Sequence, residues 1–298
     1  MSGSGSSTVP APSRDARSGS QALSGRPIRL VGVTLALSGW LVGLGVLVYL
    51  VSREGLSVGV DLQAYLRAGD DLLAGDPVYR GQIGEMGTFS YAPPWAVTFA
   101  ALGWLPDTIV FVLIMVASLL AIRYVAGSWL WSGLVLLYPV SSMVIWAGNI
   151  EFLIAAAIVL AARGHAGPLA FAALAKVSPI LAVPRDGWRE AALVIGAALA
   201  ITLPWLHLWP EWVEYLLRQP STIAIHIGPP WYLRLPFALA LLLLRRPWAS
   251  ALAVIVAMPS LWLGTLVILN AVVRLWLDGR LRLTSPADTT VISSPLAR

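Results

Sequence analysis

Residues 28–51 read IRLVGVTLALSGWLVGLGVLVYLV, and this run decides the class of protein because it is long and almost entirely apolar. About 20 consecutive apolar residues in a helix cross the hydrocarbon core of a bilayer. The run is too long for the core of a signal peptide, and it lacks a convincing small-residue cleavage site. It therefore predicts a first transmembrane helix that is retained in the protein.

The rest of the chain has the same apolar character. Of its 298 residues, 58% are hydrophobic and 12% are charged, whereas soluble domains carry about 25% charged residues. Too little polar surface is left to cover a water-soluble globule. Nine further apolar segments lie near residues 94–105, 109–125, 129–147, 150–162, 166–183, 190–206, 231–244, 248–258 and 260–277. They predict an all-α, polytopic transmembrane helix bundle of about ten spans, some of them broken, tilted or buried among neighbours.

Charge and composition divide and orient this bundle. Residues 1–27 are rich in Ser, Gly and Pro and predict a disordered cytoplasmic tail; 28–277 form the transmembrane domain, and 278–298 a second cytoplasmic tail. The largest polar stretch, 52–93, then lies on the outer face, as does 207–230. The predicted location is a plasma membrane, with many passes.

Several classes of site are excluded by composition. The chain has no cysteine, which rules out disulfides, thiolate catalysis and cysteine-based metal sites. Its basic residues are scattered arginines flanking apolar runs, so no nucleic-acid partner is predicted. We find no metal-binding motif and no phosphate-binding glycine loop, and we expect no cofactor.

The outer stretch 52–93 begins with a helical pattern, DLQAYLRAGDDLLAG at 61–75. Its apolar positions recur at helical spacing, which predicts a helix lying along the membrane surface with its apolar side down. The turn residues Gly75-Asp76-Pro77 are expected to end it. Asp61 stands at its start and has two interpretations, a helix N-cap or a general base at the mouth of a membrane cavity.

The residues 60–79, VDLQAYLRAGDDLLAGDPVY, together with FSYAPP at 89–94, resemble the polyprenyl-phosphate-sugar-dependent glycosyltransferases of family 87. Lys176-Val177-Ser178-Pro179 resembles the Lys-x-x-Pro element of that family. Gly148-Asn149-Ile150-Glu151 stands where the family has a Gly-Gln-x-Asn-like element, in altered form. The resemblance covers roughly residues 28–190 and is looser to about 277.

This resemblance implies a GT-C type fold and an inverting transfer of a sugar, mannose by the family's usual case. The donor would be a polyprenyl-phosphate sugar, the acceptor a lipid or glycolipid, and the reaction would occur on the outer face. Asp61 is expected to be the general base. The candidate substrate-binding residues are Tyr65, Arg67, Tyr79, Tyr91, Lys176, His226 and Arg234.

Several of these residues also have a structural interpretation. Lys176, the only lysine, lies in an apolar run and either binds the donor phosphate or pairs with a residue such as Glu151. The tyrosines stack on sugars or form an interfacial aromatic belt. The alternating topology puts Asn149 and Glu151 near the inner side, away from Asp61, unless that span is re-entrant. A transporter or flippase, with a midplane site at these intramembrane polar residues, is the alternative function, and a non-catalytic scaffold is a third.

Overall fold

The computed structural model describes residues 18–53, 58–81, 87–217, 227–259 and 261–283, and within these ranges the chain is helical, with no strand. This confirms the predicted all-α class. The helices are α1 (Ser18–Arg53), α2 (Val60–Ala74), α3 (Pro93–Leu102), α4 (Asp107–Ala126), α5 (Trp129–Leu137), α6 (Pro139–Trp146), α7 (Glu151–Ala161), α8 (Gly167–Lys176), α9 (Trp188–Ile201), α10 (Leu208–Leu217), α11 (Trp231–Leu243), α12 (Pro247–Val256) and α13 (Leu269–Leu283). Short 3-10 helices at Ser178–Ala182 and Leu263–Ile268 extend α8 and precede α13.

The helices differ in whether they are long enough to cross a membrane. Among fully described helices, α4 is long and apolar enough to cross a bilayer, and the bent pair α5–α6 adds a second span if it is a single broken one. Helix α1 contains the predicted first span, 28–51, of which Leu30–Val46 is described as an apolar helix. Helices of 10–14 residues, such as α7 or α9, extend for only about 15–21 Å. The predicted number of about ten spans therefore stays a prediction, although every one of the nine later apolar segments contains a helix.

The centre of the fold is α7, which is buried along most of its length. It packs against α4, α8 and α13. Its apolar side chains, Phe152 and Ile154 among them, are almost completely shielded. An apolar helix with neighbours on nearly every side is expected to be hydrophobic all round, which is what its sequence EFLIAAAIVLA shows. The exception is Glu151 at its first position.

Helix α2 matches the predicted amphipathic helix, and Gly75 ends it in the left-handed conformation, with φ of 75°. Its apolar side packs on α3, however, where the prediction placed that side on the membrane surface. Leu62, Leu66 and Leu72 are buried, and Gly69 lies against the α3 backbone at Phe99 and Ala100. The helix is thus part of the protein core, and only Leu73 of the predicted stripe is exposed.

The two predicted tails differ in part from the structure. Helix α1 already begins at Ser18, within the stretch predicted to be disordered, and α13 continues to Leu283, past the predicted end of the domain at 277. Residues 1–17 and 284–298 lie outside the described ranges. Helix α1 packs on α5 and α6, where Trp40 stacks on Trp146 with ring centroids 4.6 Å apart.

Candidate functional site

The N-terminus of α2 is held by the break between α6 and α7. The backbone N–H of Gly59 donates to the carbonyl of Trp146 at 2.9 Å, and those of Asp61 and Leu62 donate to the carbonyl of Ala147 at 2.9 and 3.3 Å. Orphan N–H groups of a first helical turn need such acceptors. Here the carbonyls of another helix end supply them, so the start of α2 and the α6–α7 break form one unit.

Asp61 is not the N-cap of α2, because Gly59 occupies that position and makes no side-chain cap. The interpretation of Asp61 as a helix cap is therefore wrong. Its carboxylate Oδ2 instead accepts a hydrogen bond of 2.8 Å from Nδ2 of Asn149. An acidic group in the first turn is still favoured by the helix dipole, but the side chain is directed to the α6–α7 break and not to its own helix.

Four polar side chains, from α2, the α6–α7 break, α7 and α8, form a chain that we call the polar chain: Asp61, Asn149, Glu151 and Lys176. After the Asn149–Asp61 bond, Oδ1 of Asn149 accepts the backbone N–H of Glu151 at 3.0 Å. Glu151 Oε1 then accepts from Nζ of Lys176 at 2.6 Å. Charge-assisted bonds of this length are among the stronger hydrogen bonds in proteins.

Glu151 is the most deeply buried member of the polar chain, with none of its side chain exposed. Its Oε1 also accepts from the Trp262 indole N–H at 3.3 Å and from the Thr265 hydroxyl at 3.2 Å. Oε2 has no hydrogen-bond partner among the described residues. A buried carboxylate needs a cation and several donors to offset its desolvation, and Lys176 is the cation provided. The pair with Glu151 is the structural interpretation of Lys176 that the sequence left open beside phosphate binding.

The polar chain also shows how the simple topology differs from the structure. Alternating straight spans would put Asn149 and Glu151 far from Asp61, yet Asn149 donates to it directly. The cause is irregular backbone. Helices α5 and α6 meet at an angle of 87°, and Gly148, with φ of +74°, turns the chain between α6 and α7. The bend agrees with the re-entrant alternative that the sequence left open.

An aromatic cluster lies beside the polar chain and contains the predicted tyrosines. The hydroxyls of Tyr65 and Tyr91 are 2.7 Å apart, and that of Tyr79 donates to the Tyr91 carbonyl at 3.1 Å. Phe89 and Phe99 complete the cluster. Tyr65 and Tyr91 are buried in the core and do not lie in an exposed aromatic belt. Burial raises the pKa of both phenols, so they remain protonated hydrogen-bond donors.

The remaining predicted substrate-binding residues have separate surroundings. Arg67 is exposed on α2. Arg234 is buried and donates to three backbone carbonyls, those of Pro229, Val256 and Met258, each at 2.9 Å. Its guanidinium thus joins α11 to the end of α12 and does not meet the polar chain. His226 lies outside the described residues.

The surroundings of Asp61 change its acidity. The residue is partly exposed, but protein atoms pack closely around the carboxyl, and this burial raises its pKa above the usual value of an aspartic acid. The hydrogen bond from Asn149 and the charge of Lys176 lower the pKa, while the charge of Glu151 raises it. A carboxylate with a raised pKa is a stronger base than an exposed aspartate.

Two members of this site, Trp262 and Thr265, were missed by sequence reasoning. They lie more than 100 residues from Glu151, and nothing in their local sequence indicates a polar partner. The signal that was available is the rarity of polar residues in apolar segments, which drew attention to Asn149, Glu151 and Lys176. Within the described ranges, no group of three His, Cys, Asp or Glu side chains could hold a metal ion.

Comparison with known proteins gives no family assignment. No family model, no curated protein and no solved structure matches this chain.

Proposed function

We propose that this protein is a membrane glycosyltransferase that uses a polyprenyl-phosphate sugar as donor. The observation that carries the proposal is Asp61, a carboxylate that is partly exposed, has a raised pKa and is held at one oxygen by Asn149. The order of motifs around it resembles glycosyltransferase family 87. A helical chain that places one such carboxylate at the edge of an apolar bundle is suited to a lipid-linked donor and an acceptor hydroxyl.

Membrane location is part of the proposal and is supported by apolar side chains on the surface. Leu120 of α4, Leu193 of α9, and Phe237 and Leu243 of α11 are each at least 65% exposed. Water-soluble monomers rarely expose so many large apolar side chains on several helices. Lipid acyl chains would cover them, with the N-terminus in the cytoplasm and Asp61 on the outer face.

The proposed reaction is a single displacement. The acceptor oxygen forms a bond to the anomeric carbon of the donor sugar while its proton passes to the Asp61 carboxylate. The bond from that carbon to the phosphate oxygen breaks, and the polyprenyl phosphate leaves with the electron pair. The configuration at the anomeric carbon inverts, so a β-linked donor gives an α product. A positioned base of this kind contributes about 10²–10⁴-fold in rate.

The phosphate of the donor requires a nearby cation. Arg234 is unsuited because its guanidinium donates to three backbone carbonyls, so Arg67 and Lys176 remain of the predicted cationic residues. Arg67 is exposed on the same helix as Asp61. Lys176 gives one of its three Nζ hydrogens to Glu151, and its side chain is 11% exposed. We assign the phosphate contact to these two residues, and we assign sugar contacts to the edge of the aromatic cluster at Tyr79, which is its partly exposed tyrosine.

The decisive experiment is transfer of radiolabelled mannose from polyprenyl-phosphate-mannose to a membrane lipid extract by purified protein. We expect Asp61→Asn to lower the rate by about 10²–10⁴-fold, because the amide cannot accept the proton. Asp70→Asn, an exposed acid on the same helix, is the matched control and should keep the wild-type rate. Equal activity of both variants would remove Asp61 from catalysis. If mannose is not transferred, the same assay with a panel of other lipid-linked sugars tests whether the protein uses a different donor.

A transporter or flippase is the second candidate, and the observation in its favour is the buried Glu151–Lys176 pair. Buried charged pairs in apolar bundles often mark substrate or ion pathways, and Glu151 Oε2 is unpartnered among the described residues. Flux of a lipid-linked sugar across proteoliposomes, with no chemical transfer from any donor in the panel, would favour this candidate over the transferase.

A further inference from the structure

The side-chain amide of Asn149 has a single orientation that its partners require. The backbone N–H of Glu151 is a donor, so the atom of Asn149 that faces it at 3.0 Å must be the oxygen. The nitrogen must then face Oδ2 of Asp61 at 2.8 Å, and there it donates to the carboxylate. In the reverse orientation the amide nitrogen would face the N–H of Glu151, donor against donor, and the amide oxygen would face Oδ2 of Asp61, acceptor against acceptor. The Asn149 amide therefore bridges α7 and α2, accepting from the backbone of Glu151 and donating to the carboxylate of Asp61.

The backbone that carries this amide is closely constrained. The N–H of Asn149 donates to the carbonyl of Val144 at 3.0 Å, and that of Gly148 donates to Ile145 at 2.9 Å. A side chain on Gly148 would approach Leu62 Cβ to 2.7 Å, so α2 is seated directly on this turn. Asn149 itself is only 5% exposed. The backbone of Asn149 is thus held between the α6–α7 turn and the start of α2.

The two oxygens of Asp61 are consequently not equivalent. Oδ2 accepts from Asn149, whereas Oδ1 accepts no hydrogen bond from the described residues. A carboxylate held at one oxygen keeps the other for an incoming proton. Holding the base in one orientation matters because a displacement of a reacting group by about 1 Å can lower the rate about 10²-fold.

We propose that Asn149 is a positioning residue that holds the Asp61 carboxylate so that Oδ1 faces the acceptor hydroxyl. This inference rests on the proposed function, and it assigns a role to a residue that the resemblance leaves open, because the Gly-Gln-x-Asn-like element is altered here. Asn149 touches neither donor nor acceptor in this scheme and acts through Asp61 alone.

Other charged and titratable groups also face Asp61 and enter any pH-dependent readout. They are Glu151 on α7, Lys176 on α8, Tyr65 on α2 itself and Tyr91 before α3. All four are unchanged by substitutions at Asn149. A shift of the acid limb of the pH profile on such a substitution therefore reports the loss of the amide donor.

The test uses two variants at Asn149 and one control in the full-length protein. Asn149→Ala removes the donor, and Asn149→Asp keeps the volume but places a carboxyl beside Asp61. We expect kcat to fall by about 10²-fold in Asn149→Ala with KM little changed, and the acid limb of kcat to move to higher pH in both variants. Asn270→Ala is the matched control, since its amide donates to the carbonyl of Val267 within its own segment.

A second measurement does not need transferase activity. Dicyclohexylcarbodiimide reacts with protonated carboxyl groups, and peptide mass spectrometry gives its extent at Asp61 separately from Glu151. We expect more labelling of Asp61 near neutral pH in both Asn149 variants than in wild type or Asn270→Ala.

The outcomes separate this inference from the proposed function. The inference would be overturned if both Asn149 variants had the same kcat, acid limb and Asp61 labelling as the wild type. The proposed transferase function would still stand in that case if Asp61→Asn were inactive. Absence of transfer by the wild type with every donor would overturn the proposed function. In that event increased labelling would still support the Asn149–Asp61 coupling, whereas unchanged labelling would overturn it too.

Discussion

At the scale of single residues, the strongest constraint is the Glu151–Lys176 pair. Two opposite charges in an apolar interior are stable only while both are present, because either one alone is a buried, uncompensated ion. Glu151 is completely buried and Lys176 nearly so. The only lysine of the chain is thus required by the fold, whatever contact it also makes with a substrate phosphate.

We predict that Lys176→Met lowers the free energy of unfolding by about 3–5 kcal/mol, the usual cost of removing one partner of a buried pair. The double variant Glu151→Gln/Lys176→Met should recover most of that loss, since no buried charge remains. Arg80→Met, which breaks an ion pair with Asp71 whose arginine is 52% exposed, should cost about 0–1 kcal/mol. Denaturant unfolding in detergent measures all three, and a double variant as unstable as Lys176→Met would contradict the explanation.

The acidity of Asp61 leads to a second prediction at this scale. Burial raises the pKa of its carboxyl, and a general base must be ionised to accept a proton. We therefore expect kcat of the proposed sugar transfer to be independent of pH at high pH and to fall as the pH is lowered. The midpoint of this fall, the acid limb, should lie at a higher pH than the usual pKa of an aspartic acid. An acid limb at or below the value of a free aspartic acid, in the wild-type protein, would show that another group is titrating.

At the scale of elements, the site depends on how closely α2 approaches α3. Gly69 permits this approach because a Cβ at that position would lie 2.5 Å from the backbone nitrogen of Ala100. Backbone atoms cannot yield as a flexible side chain can. The same α2 carries Asp61 near its N-terminus, so the α2–α3 packing helps to fix the direction of the Asp61 carboxylate.

We predict that Gly69→Ala destabilises the protein by about 1–3 kcal/mol, the cost of overpacking, and lowers the proposed transferase activity with it. Gly196→Ala is the control in another helix, since a Cβ at Gly196 of α9 meets nothing within 4 Å. That variant should be neutral or more stable by about 0.5–1 kcal/mol, because alanine favours helix more than glycine does. Equal stabilities of the two variants would mean that α2 can move away from α3 at little cost.

At the scale of the whole molecule, the proposed membrane location requires an arrangement in which lipid meets apolar side chains and not irregular backbone. Short helices, a bend of 87° and a polar chain in the middle are compatible with a bundle whose irregular backbone is covered by protein. Apolar side chains are exposed on several helices. The absence of cysteine makes the topology directly measurable, because single cysteines can be introduced into the natural chain.

The alternating topology places Asp76 in the outer stretch 52–93, and it places the loop of Arg185, Asp186 and Arg189 on the cytoplasmic side. We predict that Asp76→Cys reacts with a membrane-impermeant maleimide in intact cells, whereas Asp186→Cys reacts only after permeabilisation. Both positions are exposed, so accessibility within the protein does not limit either reaction. The protein should also remain in the membrane pellet after alkaline carbonate extraction. Labelling of both positions in intact cells, or release by carbonate, would contradict the predicted topology.

Much of the local structure could be predicted from the sequence because it depends on near neighbours. The helical spacing of apolar residues placed α2, and the turn residues at Gly75 ended it where the structure does. Each later apolar segment proved to contain a helix. The rarity of polar residues in those segments pointed to Asn149, Glu151 and Lys176, whereas Asp61 was predicted from its position at the start of a helix and from the family resemblance.

The sequence by itself determined the all-helical class and the set of polar residues that an apolar interior must accommodate, because periodicity and burial cost are local properties. Only the tertiary structure decided that Asp61 accepts from Asn149, that the tyrosines lie in the core, and that Arg234 binds backbone carbonyls. These contacts join segments that lie 22 to 88 residues apart. The contact between Asp61 and Asn149 also depends on the bend between α5 and α6 and on the turn at Gly148, whose directions no pattern of single residues specifies.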